Sequence, residues 1–168
     1  LSLVDDQHAV MPAVLLGDWG LKDFELSLQI KSADGSSRIS GDDTLDYGSL
    51  IQRGSTLCDS QSKCNGPAIL LSDNGQVEFR LRRDDTLIVP NAVLSWADWT
   101  DLRFVLNASD RMLKVFVNGQ ERGSRNLIQW DDYLAASTTF TSSPMRLGAN
   151  WAPGQTDTEN LNAHIRNL

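Results

Sequence analysis

The chain has 168 residues, 40% of them hydrophobic and 22% charged, and its 22 acids against 15 bases leave a net charge of −7. A surplus of this sign repels phosphates and anionic headgroups, which excludes nucleic acid and simple adsorption to acidic lipid as partners. No apolar run approaches the roughly 20 residues that cross a bilayer, so membrane insertion is excluded too.

Residues 3–16 read as a broken strand with Pro12 at an edge or bend, and residues 17–20 as a loop. Asp23 to Lys31 alternates, with Phe24, Leu26, Leu28 and Ile30 on one face, and predicts a half-buried strand. A polar loop follows over 32–46, then a strand over 47–53 and a loop over 54–66. Residues 67–72 predict a strand, 73–75 a tight turn, and 76–82 a further strand with Val77, Phe79 and Leu81 inward. A short strand is expected at 87–89 within a mixed stretch.

The clearest unit is Trp99 to Gly119. Leu102, Phe104 and Leu106 alternate in one run, and Leu113, Val115 and Val117 in the next, with Lys114 and Phe116 on the opposite face. Asn107 to Asp110 supplies side chains that bond their own backbone in a turn. Asn118-Gly119 is a strong hairpin signal. Beyond it lie a weak strand over 121–129, a long loop over 130–143 with one helical turn at 131–134, and an apolar piece at 145–148. An exposed loop over 150–160 and a last strand over 161–168 complete the chain. About ten short strands without a long helical period predict an all-β fold, an antiparallel two-sheet β-sandwich or jelly roll. The length suits a single domain over 1–168, and the ends read as those of a domain cut from a larger protein.

Cys58 and Cys64 are too few for a tetrahedral zinc site. Their spacing suits a small disulfide loop in an oxidising, extracellular or periplasmic setting, against two reduced surface thiols. The acids cluster at Asp5-Asp6, Asp42-Asp43-Asp46, Asp84-Asp85, Asp131-Asp132 and Asp157-Glu159. Such clusters are either solvated turns or oxygen ligands for a hard cation such as Ca²⁺. No nucleophile elbow, phosphate loop or zinc-protease motif occurs, and Glu25, Glu78 and Glu121 stand apart, so an enzyme is not expected. His8 and His164 are isolated, and His164 reads as a packed histidine. Asn107-Ala108-Ser109 is a glycosylation sequon inside a hairpin turn.

Five segments in order resemble the laminin-G-like and concanavalin A-like sandwich superfamily, which includes the pentraxins. They are DFELSLQIK, YGSLIQRGS, AILLSDNGQVEFRL, WTDLRFVLNASDRMLKVFVNGQERGS, and MRLGANW leading to LNAHIRNL. The finish departs from that pattern, with Leu161-Asn162-Ala163 where a Phe-x-Gly is usual. Alternating strand direction places residues 18–19, 54–66 and 83–85 at one rim and 32–46 at the other. The resemblance adds loop 149–160 to the first rim and implies calcium there, held by Asp59, Asn65, Asn150, Asp157 and Glu159. A second possible cation site is Asp42, Asp43 and Asp46. Trp19 and Trp151, with Arg83, are the expected ligand-binding side chains, either binding or packing, while Trp96, Trp99 and Trp130 read as core or strand-end residues.

Size, fold and acidity are similar to the ligand-binding domains of bacterial RTX adhesins. That likeness implies a calcium-dependent, extracellular, cell-surface adhesion domain, monomeric within a long chain, that grips the C-terminal peptide of a partner protein. A glycan-binding lectin domain on the same rim and a structural spacer are the other two expectations.

Overall fold

The structure is a computed structural model. It describes residues 2–3, 9–12, 21–32, 47–53, 66–72, 74–81, 85–93, 95, 97–135, 144–148 and 163–167. These carry strands β1 (Ser2–Leu3), β2 (Ala9–Met11), β3 (Phe24–Ser32), β4 (Tyr47–Arg53), β5 (Ala68–Ser72), β6 (Val77–Arg80), β7 (Thr86–Val89), β8 (Thr100–Asn107), β9 (Met112–Val117), β10 (Gln120–Asn126), β11 (Met145–Leu147) and β12 (Ala163–Arg166). One short helix, α1, spans Trp130–Ala135. The front sheet has the order β1-β12-β3-β8-β9-β10 and the back sheet β2-β11-β4-β5-β6-β7. Every pairing is antiparallel. This is the two-sheet antiparallel sandwich that the alternating runs predict.

The two sheets are built from different patterns. In the front sheet Leu28, Ile30, Leu102, Phe104, Leu106, Leu113, Val115 and Val117 face the core, and their strand neighbours face outward. In the back sheet every residue of β5 is buried, as are Ser49, Gln52 and Glu78 beside the core positions of β4 and β6. An unbroken apolar run such as Ala68 to Leu71 is the signature of a strand covered on both faces. The sheets meet across an edge-to-face ladder. Phe79 of β6 packs against Phe24 of β3 and Phe104 of β8, with ring centroids 6.0 Å and 5.7 Å away.

Both hairpin turns form as their residues dictate. Asn107 Oδ1 accepts the Asp110 N–H at 3.0 Å and the Ser109 hydroxyl at 2.9 Å. The Asn107 Nδ2 of the sequon donates to Asp110 Oδ2 at 2.6 Å. Asn118 and Gly119 both have positive φ, 49° and 78°, as the two-residue turn with right-handed twist requires. The strand expected over 121–129 stops earlier, at Asn126. The buried Asp85 carboxylate takes the N–H groups of Ile128 and Gln129 at 2.7 and 2.9 Å, and α1 begins at Trp130. Asn167 has a φ of 57°, which ends β12 before the expected strand does.

At this end of the sandwich Trp130 stacks on Tyr133, centroids 5.3 Å apart. Burial pushes the Tyr133 phenol far above its ordinary value, against the opposing pull of the nearby Arg53 charge. The unfolded chain therefore releases this proton first, near pH 10, while the folded chain keeps it. Stability from Tyr133 is full below that pH and declines above it. The expected result is that Tyr133→Phe loses less melting temperature than the parent between pH 8 and pH 11, read by circular dichroism. An equal loss in both would contradict the burial.

Strand register fixes which loops share an end. Asp85 lies past the end of β6, at the Arg53 end of β4, and it holds the chain just after β10. Hence β10 runs toward the Arg53 end, β9 away, β8 toward and β3 away, which agrees with the direction expected for β3 to β6. The late loop differs. Met145 pairs with Arg53 and the Gly148 N–H reaches the Leu50 carbonyl at 3.2 Å, so β11 heads for the Tyr47 end. The chain re-enters at Ala163, opposite Ser32, also at that end. The flanks of 149–162 therefore face the end where 33–46 begins, away from the Arg53 end where 54–65 begins. Antiparallel pairing of β11 with β4 overrides the common rim inferred from resemblance.

Candidate functional site

On the outer face of the front sheet, register sorts the side chains into rows. Arg166, Gln29 and Asp101 form one row across β12, β3 and β8, ending at Asn118 in the turn. Ser27, Arg103, Phe116 and Glu121 form the next, and Glu25, Val105 and Lys114 the third. Between the first two rows lies an open groove of about 420 Å³, lined by Ser27, Gln29, Asp101, Arg103, Phe116 and Asn167 among others. It is deep there because Ser27 is small while Arg103 and Phe116 stand up beside it.

Arg103 is the central cation. Its guanidinium carbon sits 4.0 Å from the centroid of the Phe116 ring, and its Nη1 lies 3.7 Å from Glu25 Oε1. Its Nε is buried with no hydrogen-bond partner. A guanidinium carries five N–H donors. Here ring stacking fixes its position and, among the described residues, a single long ion pair occupies one edge, so the fork keeps donors in hand. Its side chain is 43% exposed. At the other wall Arg166 Nε donates to Gln29 Oε1 at 2.6 Å and Asn167 Nδ2 to the same oxygen at 3.2 Å. The Gln29 amide in turn donates to Asp101 Oδ1. Trp99, half-buried, closes this wall beneath Arg166. Planar amides, an aromatic face and a half-satisfied guanidinium around an open groove can hold the hydroxyls and ring face of a sugar together with an acidic group.

The metal-ligating, ligand-binding and disulfide side chains expected from sequence all lie outside the described residues. This holds for Asp59, Asn65, Asn150, Asp157 and Glu159, for Asp42, Asp43 and Asp46, for Trp19, Trp151 and Arg83, and for Cys58 and Cys64. Of the other tryptophans, Trp130 is core and Trp99 lies at a strand start on the outer face. His164 is half-buried and points outward, opposite Lys31. The groove residues were missed because they are the off-phase half of the strands. Lys114 and Phe116 are visible in sequence as the other face of β9, but only register brings Phe116 beside Arg103 and Ser27. Among the described residues no three His, Cys, Asp or Glu converge as a metal would need.

No protein-family model matches the chain, and no curated protein matches it in sequence. Solved structures do share its fold. The CBM40 of the Ruminococcus gnavus IT-sialidase bound to α2,6-sialyllactose superposes with a TM-score of 0.60 at 13% identity, over 98% of this chain and 88% of that one. Mouse laminin α1 domains LG4-5 give 0.60 at 14% identity, over 99% of this chain and 39% of that one. A SAP-like pentraxin from Limulus polyphemus gives 0.54 at 10% identity, over 98% and 70%. The chain thus has the jelly-roll sandwich fold common to laminin-G-like, pentraxin and sialidase-associated carbohydrate-binding domains. No helix among the described residues is long and apolar enough to cross a membrane.

Proposed function

We propose that the chain is a non-catalytic glycan-binding domain that holds an acidic sugar on the outer face of its front sheet. The observation that carries this reading is Arg103, stacked on Phe116 at the groove, its guanidinium side chain 43% exposed and only loosely paired with Glu25 at 3.7 Å. Two of the solved neighbours carry sialyllactose, a sugar with one carboxylate, which supports the same ligand class. The guanidinium receives the acid group, Phe116 and Trp99 offer apolar faces, and Gln29, Asn167 and Asp101 meet hydroxyls. Such domains act outside the cell, so an extracellular place and a surface glycan as partner belong to the same proposal. The calcium-dependent peptide reading has less support: its ligands lie outside the described residues, and the flanks of its two loops face opposite ends.

Calorimetric titration with α2,3-sialyllactose and lactose tests the groove. The parent is expected to bind the sialylated sugar and to bind lactose far more weakly. Arg103→Ala should weaken sialyllactose roughly tenfold or more, the loss of a charge-assisted bond, with little change in melting temperature. Equal affinity for both sugars, or an unchanged Arg103→Ala, would overturn the assignment.

A further inference from the structure

The chain is short of cations, with 15 bases against 22 acids, yet the front face gathers two of them where no carboxylate among the described residues pairs with them. The Arg166 guanidinium carbon lies 3.9 Å from the Trp99 ring centroid, and Lys31 Nζ lies 5.4 Å from the same centroid. Neither side chain makes an ion pair with a described residue. Asp101 is the nearest acid by register, but the Gln29 amide stands between it and Arg166, accepting from the arginine and donating to the aspartate. Among the described residues Lys31 has the indole as its partner. Two like charges on one ring repel, and a cation–ring contact at an exposed site is too weak to hold them together unaided. An anion between them relieves that repulsion.

This pair adjoins the groove. Arg166 sits two strands over and two residues along from Arg103, which sets their Cα atoms about 12 Å apart. That span exceeds one sugar ring and lies within reach of a di- or trisaccharide. Gln29, Asp101 and Asn167 pave the floor between.

We propose that Lys31, Trp99 and Arg166 form a second anion seat, and that the groove's ligand is an oligosaccharide carrying at least two acidic groups, one at Arg103 and one here. The proposal rests on the glycan reading above and narrows it from a singly charged sugar to a multiply charged chain. The acidic groups are carboxylates or sulfates, both of which meet a guanidinium and an ammonium by the same charge-assisted bonds.

Calorimetry with four probes separates the possibilities: lactose, α2,3-sialyllactose with one carboxylate, an α2,8-linked disialyl-lactose with two, and a sulfated heparin disaccharide. Either doubly charged probe should bind about tenfold tighter than sialyllactose, since the second contact is made within one ligand. The probe that gains identifies the acid as carboxylate or sulfate. In Lys31→Gln, which breaks no hydrogen bond among the described residues, the gain should fall at least roughly threefold while sialyllactose affinity stays within about twofold. Arg166→Gln, which also releases Gln29 in the groove wall, should lose the gain and weaken sialyllactose as well. If singly and doubly charged sugars bind the parent equally, or if Lys31→Gln weakens both alike, the second seat is overturned and the groove at Arg103 stands. If no acidic sugar binds the parent, both are overturned.

Discussion

Asp85→Ala is expected to unfold at a markedly lower denaturant midpoint than the parent, by about 3 kcal/mol in stability. The carboxylate is fully buried, and its two oxygens each accept one backbone N–H, from Ile128 at 2.7 Å and Gln129 at 2.9 Å. Hydrogen bonds to a charged acceptor contribute about 1.5–3 kcal/mol each, and alanine leaves both N–H groups without an acceptor away from water. The same contact ties the loop after β6 in the back sheet to the chain between β10 and α1 in the front sheet. Asp85→Asn tests the chemistry more finely. The amide keeps one acceptor oxygen but turns a donor toward the other N–H, so it too should lose stability. Asp131→Ala is the control. Its pair with Arg111 at 3.0 Å is exposed, and such pairs contribute about 0–1 kcal/mol. Urea unfolding reads all three. A midpoint for Asp85→Ala as close to the parent's as that of Asp131→Ala would show that the buried cap contributes nothing.

Gly75→Ala is the second large expected loss, roughly 3 kcal/mol or more. Gly75 has a φ of +77°, and a Cβ there would lie 2.1 Å from the Val93 carbonyl oxygen. That oxygen cannot retreat freely, because the Val93 N–H donates to the Gly75 carbonyl at 3.0 Å and the two segments are clasped. Gly119 isolates the conformational part of the effect. Its φ is +78°, nearly the same, but a Cβ there meets nothing within 4 Å. Gly119→Ala should therefore lose only the strain of a left-handed alanine, about 1–2 kcal/mol. Thermal melts of the two variants read the difference, which is the cost of the steric collision. Equal losses would mean the segment at Val93 moves aside without penalty.

These two positions also show where sequence reading reaches its limit. The alternation of Phe24 to Ile30 and of Leu102 to Val117 was legible because period two is a local property, and so were the Asn107 and Asn118 turns. The Asp84-Asp85 pair looked like a solvated turn or a cation ligand and is neither for Asp85, whose partners lie 43 and 44 residues away. Nothing local marks a carboxylate that will be buried against N–H groups so distant in the chain. The groove failed to show for a related reason. Its residues are the polar half of three strands, and a polar half is what any solvated face displays. What makes Arg103 unlike Lys114 is its neighbours, and neighbours across strands are set by register. Strand direction gave the right ends for the strands β3 to β6 that flank the early loops. The late loop was placed by resemblance, and the short β11, pairing on the free side of β4, reversed the end that its flanks face.

The contrast between the sheets has a consequence for how such a domain can change. The back sheet is committed on both sides, so nearly every substitution in β4 to β6 is filtered by folding. The front sheet spends only its inner positions on the core, and the outward positions at 25, 27, 29, 31, 103, 114 and 116 are held by one another. Under the proposed glycan reading, substitution there would alter which ligand is gripped while leaving the scaffold's melting point nearly untouched. Specificity on this fold can drift, or be redrawn in a library of seven codons, without a matching rescue of stability elsewhere.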